Sequence, residues 1–401
     1  MEKTIVIGGG AAGFFAANSL AEHRPGSEIV ILERGRQVLE KVRISGGGRC
    51  NVTHACFDPR ELVKFYPRGG QELLGPFHKF ACGDTMGWFA DRGVELKIEE
   101  DGRVFPVSDD SQTIIDCLWR EAKRRGVRVL TGARVTEMHP PAPRRPNWKV
   151  RVGEEWVEAD RLVITSGSNT AVWKLLAGIG HRIVDPVPSL FAFNIKHRGL
   201  RSLSGVSLPW VQLKIRDTKL QADGPLLITH RGLSGPAVLR LSAWGARELH
   251  PTNYHFNLEV NWLSARTADA RSELAAARDD SPRRQIGTRS PFDLPQRLWQ
   301  TLLTDAEVPA ETQWAQLSNK ALHSLAERLT RSCYPVSGKA TNKEEFTTAG
   351  GVALEEVDFR NFSSKLHPGL YLAGEVLDID AITGGFNFQA AWTGGWLIGK
   401  A

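Results

Sequence analysis

Cysteine is sparse and dispersed: five residues, Cys50, Cys56, Cys82, Cys117 and Cys333, in a chain of 401. No two stand in CxxC spacing, which argues against a zinc site or a redox disulfide of that type, and no metal site is expected. The odd count fits a reducing compartment, with Cys82 and Cys117 read as core filling. Long apolar runs are missing too. Nothing approaches the roughly 20 apolar residues that a membrane span needs. Met1–Lys3 lead straight into a strand with no cleavable leader pattern, so a cytoplasmic protein without a membrane partner is expected. There is no internal repeat, and nothing speaks to oligomeric state.

What is present is ordinary for a soluble globular chain: 41% hydrophobic and 24% charged residues. The length exceeds one ordinary core and implies two or three domains. Net charge is +6 with a pI near 9.1. Ten Lys/Arg lie between Arg120 and Arg151 against only Glu121 and Glu137. They read first as a solvated helix face and an exposed loop, and alternatively as a nucleic-acid footprint.

The strongest pattern is at the start. Thr4–Ile7 form an apolar strand, Gly8-Gly9-Gly10-Ala11-Ala12-Gly13 a glycine turn, the next residues a helix, and Glu28–Leu32 a second strand closed by Glu33. This is the unit that binds a dinucleotide. Gly8 permits the turn, Gly10 lets backbone approach a pyrophosphate, and Gly13 lets helix and strand pack closely. The helix N-terminus offers unpaired N–H groups to phosphate. Glu33, 20 positions after Gly13, can accept from a ribose 2′-hydroxyl. NAD and FAD both carry that hydroxyl, so this unit alone leaves the choice open.

Further on, Ser45-Gly46-Gly47-Gly48-Arg49-Cys50-Asn51 places three glycines where backbone must pass something flat or charged, with Lys41, Arg43 and Arg49 adding positive charge. Residues 57–93 read as mostly helical, 94–98 and 104–107 as a hairpin, and 113–125 as a helix capped by Asp109 or Ser111. Arg161–Ile164 form a strand running into the turn Thr165-Ser166-Gly167. From Ser189 short strands dominate, with Ser234 expected to cap a helix opened by Pro236. Residues 264–332 read as helical, and 346–352 return to strand. Gly369–Asp378 is a buried strand ending near Gly374 and Glu375, and Gly384–Ala391 is a second glycine turn opening a helix. That helix terminus suits the electron-rich edge of a reduced flavin, and Glu375 suits ribitol hydroxyls.

Together these blocks, with Gly102-Arg103-Val104-Phe105-Pro106, Thr229-His230, Gly232–Pro236 and Ala349–Val352, resemble the two-dinucleotide-domain flavoproteins described as aminoacetone-oxidase-like or NAD(P)/FAD-dependent oxidoreductases. The likeness spans nearly the whole chain. It implies an α/β fold: a Rossmann-like FAD-binding domain (1–189 and 351–401), an inserted β-barrel-like domain (190–263 and 333–350) and a nested helical domain (264–332). It implies FAD held by Gly8, Gly10, Ala12, Gly13, Glu33, Arg34, Lys41, Ser45, Gly46, Gly47, Arg49, Cys50, Asn51, Val135, Thr165, Ser166, Gly167, Gly374, Glu375, Gly385, Phe386, Asn387 and Phe388. The chain departs from many such proteins in the short Ser166–Thr170 loop, where they carry a longer one on the approach to the flavin.

The function expected is therefore an FAD-dependent oxidoreductase acting on a small molecule. One option is oxidation of an amine or aminoketone, with O₂ reoxidising the flavin; the other is NAD(P)H-linked reduction. No second GxGxxG follows a strand, so NAD(P)H is expected only as a transient electron donor. His230, Cys50 and Asn51 are the candidate catalytic residues. The alternative is an RNA-binding or tRNA-modifying flavoprotein, with the Arg120–Arg151 charge as its footprint.

Overall fold

The computed structural model describes residues 1–340 and 347–401, and Phe346 of the expected 346–352 strand lies outside them. The chain divides into two units, Met1–Val187 with Thr347–Ala401, and Pro188–Phe346.

The first unit is built on a seven-stranded sheet. Its order is Val357–Asp358, Ser363–Ser364, Leu370–Leu372, Arg161–Ile164, Lys3–Ile7 (β1), Glu28–Leu32 (β2) and Arg128–Leu130. The last five are mutually parallel. β1 therefore lies between β2, its successor in sequence, and a strand from beyond residue 160. Strand connections diverge there, which is where open α/β sheets place their ligands. The strands are apolar runs because both faces are covered.

One cover is the helix Ala11–His23 (α1), buried from Ala12 through Leu20. It is apolar all round because a second helix, Phe386–Gly399, packs against its outer side. Small residues set that approach: a Cβ on Gly395 would lie 2.8 Å from the Ala16 nitrogen, and one on Gly399 2.1 Å from Ser19 Oγ. Beside the seven-stranded sheet lie two three-stranded antiparallel sheets, Thr53–His54, Arg103–Pro106 and Leu96–Ile98, and Val135–His139, Trp148–Val152 and Glu155–Ala159, and Ile183–Ser189 pairs with Thr347–Val352 in a two-stranded sheet. The helix Ser111–Arg124 is capped by Asp110, whose carboxylate accepts from Gln112 N–H at 2.8 Å, not by either expected neighbour. Asp109 is drawn off to Lys97 and Arg49.

The second unit holds a closed six-stranded barrel in the order 192–195, 232–234, 221–229, 207–215, 255–261, 332–340. Buried and exposed residues alternate along Ser207–Ile215 and Gln221–Thr229, as a barrel wall requires. Helices Thr267–Asp280, Gln296–Asp305 and Asn319–Arg331 add Leu274, Trp299, Leu302 and Leu325 to the same core as barrel residues Val211 and Leu258. Helix Pro236–Trp244 is N-capped by Gly235 at φ +97° rather than by Ser234, which ends the preceding strand. A Cβ at 235 would meet Leu227 N at 2.9 Å, so close backbone approach decides the residue.

Candidate functional site

The glycine turn after β1 is dictated by sterics. Gly8 has φ +113°, and a Cβ on it would lie 2.5 Å from the Thr165 carbonyl oxygen. A Cβ on Gly13 would lie 2.0 Å from the Gly8 carbonyl oxygen. Thr165 Oγ1 donates to that same carbonyl at 2.9 Å, tying the end of the 161–164 strand beneath the turn. Gly10 differs. It starts α1 with no side-chain cap, and no atom lies within 4 Å of where its Cβ would be. The first turn of α1 carries no acidic residue of its own.

Glu33 lies just beyond β2. Its carboxylate accepts from Gly9 N–H at 2.8 Å and Gly35 N–H at 2.7 Å, leaving lone pairs for a hydroxyl. Arg34 beside it is exposed. Ala133 N–H donates to the Glu33 carbonyl at 2.8 Å, which brings the segment entering Val135 alongside.

On the other side of the turn, Gly374 packs against Ala12, with a Cβ position 3.2 Å from the alanine Cβ. Glu375 pairs with Lys41 Nζ at 2.5 Å, and its Oε2 lies 3.8 Å from the Cβ position of Gly167. Ser166 Oγ is buried with no hydrogen-bond partner among the described residues.

The Ser45–Gly48 stretch is a tight turn in which Gly46, Gly47 and Gly48 have φ of +58°, +70° and +88°. Nothing lies within 4 Å of the Cβ positions of Gly47 and Gly48. Cys50 follows at φ +60°, fully buried, and burial pushes its thiol up to about 12 against a hydrogen bond from Ser45. Asn51 links this loop to the C-terminal helix: its amide donates to the Thr53 carbonyl and accepts from Gly385 N–H, both at 3.0 Å. Gly385, at φ +89°, cannot carry a Cβ, which would lie 2.6 Å from the Thr53 carbonyl oxygen.

Several side chains in that shell escaped sequence reading. His54 Nδ1–H donates to the Gly384 carbonyl at 3.1 Å, and its ring stacks on Phe386, which stacks on Phe65. Burial lowers the His54 imidazole, opposed by that carbonyl. Tyr66 OH donates to the Phe386 carbonyl at 2.5 Å, and Gln389 takes hydroxyl hydrogen bonds from Thr53 and Thr85. The position of His54, three residues past Asn51, was the only signal available.

Other expected ligands are engaged within the protein. Arg49 pairs with Glu99 at 2.6 Å and lies over the Phe105 ring. The Asn387 amide is exchanged with the Ala381 backbone, and Phe388 stacks on Trp392. His230 is exposed in a turn of the second unit, where Thr229 Oγ1 accepts from Gly232 N–H at 3.2 Å.

Four of the ten cations in the basic stretch 120–151, Arg124, Arg125, Arg128 and Arg151, have a carboxylate within ion-pair distance. Burial acts to raise Glu121, but the hydrogen bond from Arg124 and the charges of Arg92, Arg124 and Arg125 hold it at about 2. Arg128 pairs with Glu28 and Arg151 with Glu137. Among the described residues no three His, Cys, Asp or Glu side chains group as a metal would need, and no helix is long and apolar enough to cross a membrane.

Uncovered backbone at Gly10, Gly47 and Gly48, an orphaned buried hydroxyl at Ser166 and the carboxylates of Glu33 and Glu375 fit an extended dinucleotide. The fold and this row define a Rossmann-type FAD-dependent oxidoreductase. The chain belongs to the HI0933-like protein Rossmann domain family, whose model matches residues 2–401. It is 26% identical over 412 residues to a 3-dehydro-bile acid delta(4,6)-reductase of Clostridium scindens, covering 100% of this chain and 99% of the relative. It is 27% identical over 404 residues to a ribosomal RNA dihydrouridine synthase of Escherichia coli, covering 98% and 96%. Among solved structures, a 3-ketosteroid-delta4-(5alpha)-dehydrogenase from Rhodococcus jostii RHA1 aligns with TM-score 0.53 at 14% identity, over 100% of this chain and 97% of that one, a likeness of fold.

Proposed function

We propose that this protein is an FAD-dependent reductase that saturates a carbon–carbon double bond conjugated to a carbonyl, working in the cytoplasm with NAD(P)H as transient electron donor. One observation carries the reading: two full-length relatives with unlike names meet on one chemistry. A delta(4,6)-reductase of a 3-dehydro-bile acid and a synthase of dihydrouridine both act where a C=C is polarised by a nearby C=O. That supports reduction over amine oxidation. FAD, when bound, supplies the hydride.

The chain's part is binding and orientation. Gly8, Gly10, Ala12 and Gly13 with the start of α1 take the pyrophosphate, and Glu33, with Arg34 and Val135 near it, takes the adenosine. Thr165, Ser166, Gly167, Gly374, Glu375 and Lys41 line the middle. The loop from Ser45 to Asn51 and the residues Gly385–Phe388 hold the flavin end. Cys50 and Asn51 fix the loop's shape rather than move protons, since the thiol is neutral and buried and both ends of the amide are engaged.

The test is an anaerobic half-reaction. FAD-loaded protein reduced by NADPH or NADH is expected to be reoxidised by a conjugated enone or by uridine-containing RNA, and not by the saturated ketone. Bleaching of the oxidised flavin by an amine, with no reoxidation by enone or uridine, would overturn the reading. A second reading places the double bond in RNA. Two ribosomal RNA dihydrouridine synthases among the relatives and the net charge of +6 favour it. Reoxidation by uridine-containing RNA, but not by a steroid enone, separates the two.

A further inference from the structure

Many cations of the first unit are answered by carboxylates: Arg24 by Glu2, Arg92 by Glu22 and Glu121, Arg161 by Glu2, Arg182 by Glu355. Lys79 and Lys400 are among those that are not. Among the described residues neither Lys79 nor Lys400 has a carboxylate within ion-pair distance, and both are exposed. They meet at one place. An open pocket of about 450 Å³ is lined by Lys79, Arg360, Asn361, Trp396, Leu397 and Lys400. Arg360 is neutralised by Asp358 in a two-pronged ion pair. The pocket therefore keeps an excess of two positive charges.

The surroundings give that charge a defined position. Lys400 Nζ lies over the Trp396 ring, 4.1 Å from its centroid, and the ring's partner is Phe80, stacked at 4.9 Å. Lys79 Nζ donates to the Arg360 carbonyl at 3.3 Å, a single neutral partner for a group with three donors. Asn361 adds an amide to the same wall. Two ammonium groups, an amide and an aromatic wall around an open cavity suit a phosphate group. The pocket lies at the far end of the C-terminal helix from Gly385, and a helix of 14 residues is roughly 21 Å long. It is thus separate from the flavin row.

We propose that this pocket is a second anion site, and that it takes a phosphate of a nucleic-acid backbone or of a free nucleotide. The RNA source rests on the second reading above; the nucleotide source does not. The test uses the FAD-loaded full chain. Binding of a short fluorescent single-stranded RNA is followed by anisotropy across a salt series, and binding of inorganic pyrophosphate by calorimetry. The K79Q/K400Q double variant is expected to weaken the phosphate ligand about tenfold. If RNA is the source, its log–log salt slope falls by about 1.4, two contacts at roughly 0.7 each. K79R/K400R, which keeps the charges, should retain binding. Loss for pyrophosphate alone assigns the site to a free nucleotide. Unchanged affinity for both probes in K79Q/K400Q overturns the proposal. Flavin reoxidation by a small conjugated enone, measured on the same variants, should be unaltered. A chain that binds phosphate here yet fails to reduce any double bond would sink the proposed reaction and leave this site standing.

Discussion

Two glycine loops of the first unit look alike in sequence and are held by different physics. In Gly8–Gly13 the glycines at both ends are fixed by contact: a Cβ at 8 or 13 would strike backbone at 2.5 Å or 2.0 Å. At Gly47 and Gly48 the determinant is the sign of φ, since both have open space where a Cβ would go, whereas one on Gly46 would lie 2.8 Å from the Phe105 ring. The first loop cannot accept an added methyl group without moving a strand. At Gly47 and Gly48 the second can house the methyl group but resists the backbone shape that an L-residue prefers. Counting glycines therefore locates both loops without saying what either tolerates.

The sharpest way to break this contrast is Gly13→Ala. The methyl group must push the Gly8 carbonyl away from α1, and Thr165 Oγ1 already holds that carbonyl. The expected loss is about 3 kcal/mol or more, the upper end of overpacking costs, read as a drop in the urea midpoint of the flavin-free protein. Gly10→Ala comes next and should behave oppositely. With nothing within 4 Å, stability without flavin should hold, while the FAD Kd rises at least about tenfold because the methyl group takes space assigned to pyrophosphate. Equal destabilisation by the two variants would erase the distinction drawn inside this loop.

Gly47→Ala tests the second loop. Its φ of +70° and ψ of +33° cost an L-residue about 1–2 kcal/mol. Gly47→Asn should recover part of that loss, since asparagine tolerates the left-handed region. If alanine and asparagine cost the same in urea melts, backbone conformation is not what selects the glycine.

The contrast also explains what could be read from the sequence. β1, α1 and β2 were legible because their contacts are local: strand, turn and helix lie within one short stretch. The partner of β1 on its other side, Arg161–Ile164, comes from far along the chain, and so does Thr165, which makes Gly8 and Gly13 obligatory. Residue type marked Arg49 as a charge for the cofactor, but Glu99 and Phe105 fold over from a hairpin and take it. The basic stretch looked unbalanced because Glu22 and Glu28, which pair with Arg125 and Arg128, lie about a hundred residues earlier. Ser234 had the chemistry of a cap, yet the space beside Leu227 admits only a glycine next to Pro236. Long-range closure decided each of these, and no local pattern carries it.

The smallest effect is expected at Cys50, and it separates a loop made rigid from one made reactive. Cys50, separated from the left-handed glycines by right-handed Arg49, is itself at φ +60°, with its thiol fully buried and raised to about 12. An ordinary thiol ionises near pH ~8.5. Between those values the unfolded chain loses a proton that the folded chain keeps. The contribution of Cys50 to stability is thus complete below about pH 8.5 and declines as pH rises toward 12. Cys50→Ala should flatten only its own share of the alkaline fall in melting temperature, because Cys56 and Cys117, both raised to about 11, act on the same limb. In the folded protein at neutral pH, iodoacetamide should leave Cys50 unmodified while free glutathione reacts. Alkylation of Cys50 at the rate of the free thiol would mean that the second loop opens readily, and its cysteine would then return as a redox candidate beside the flavin.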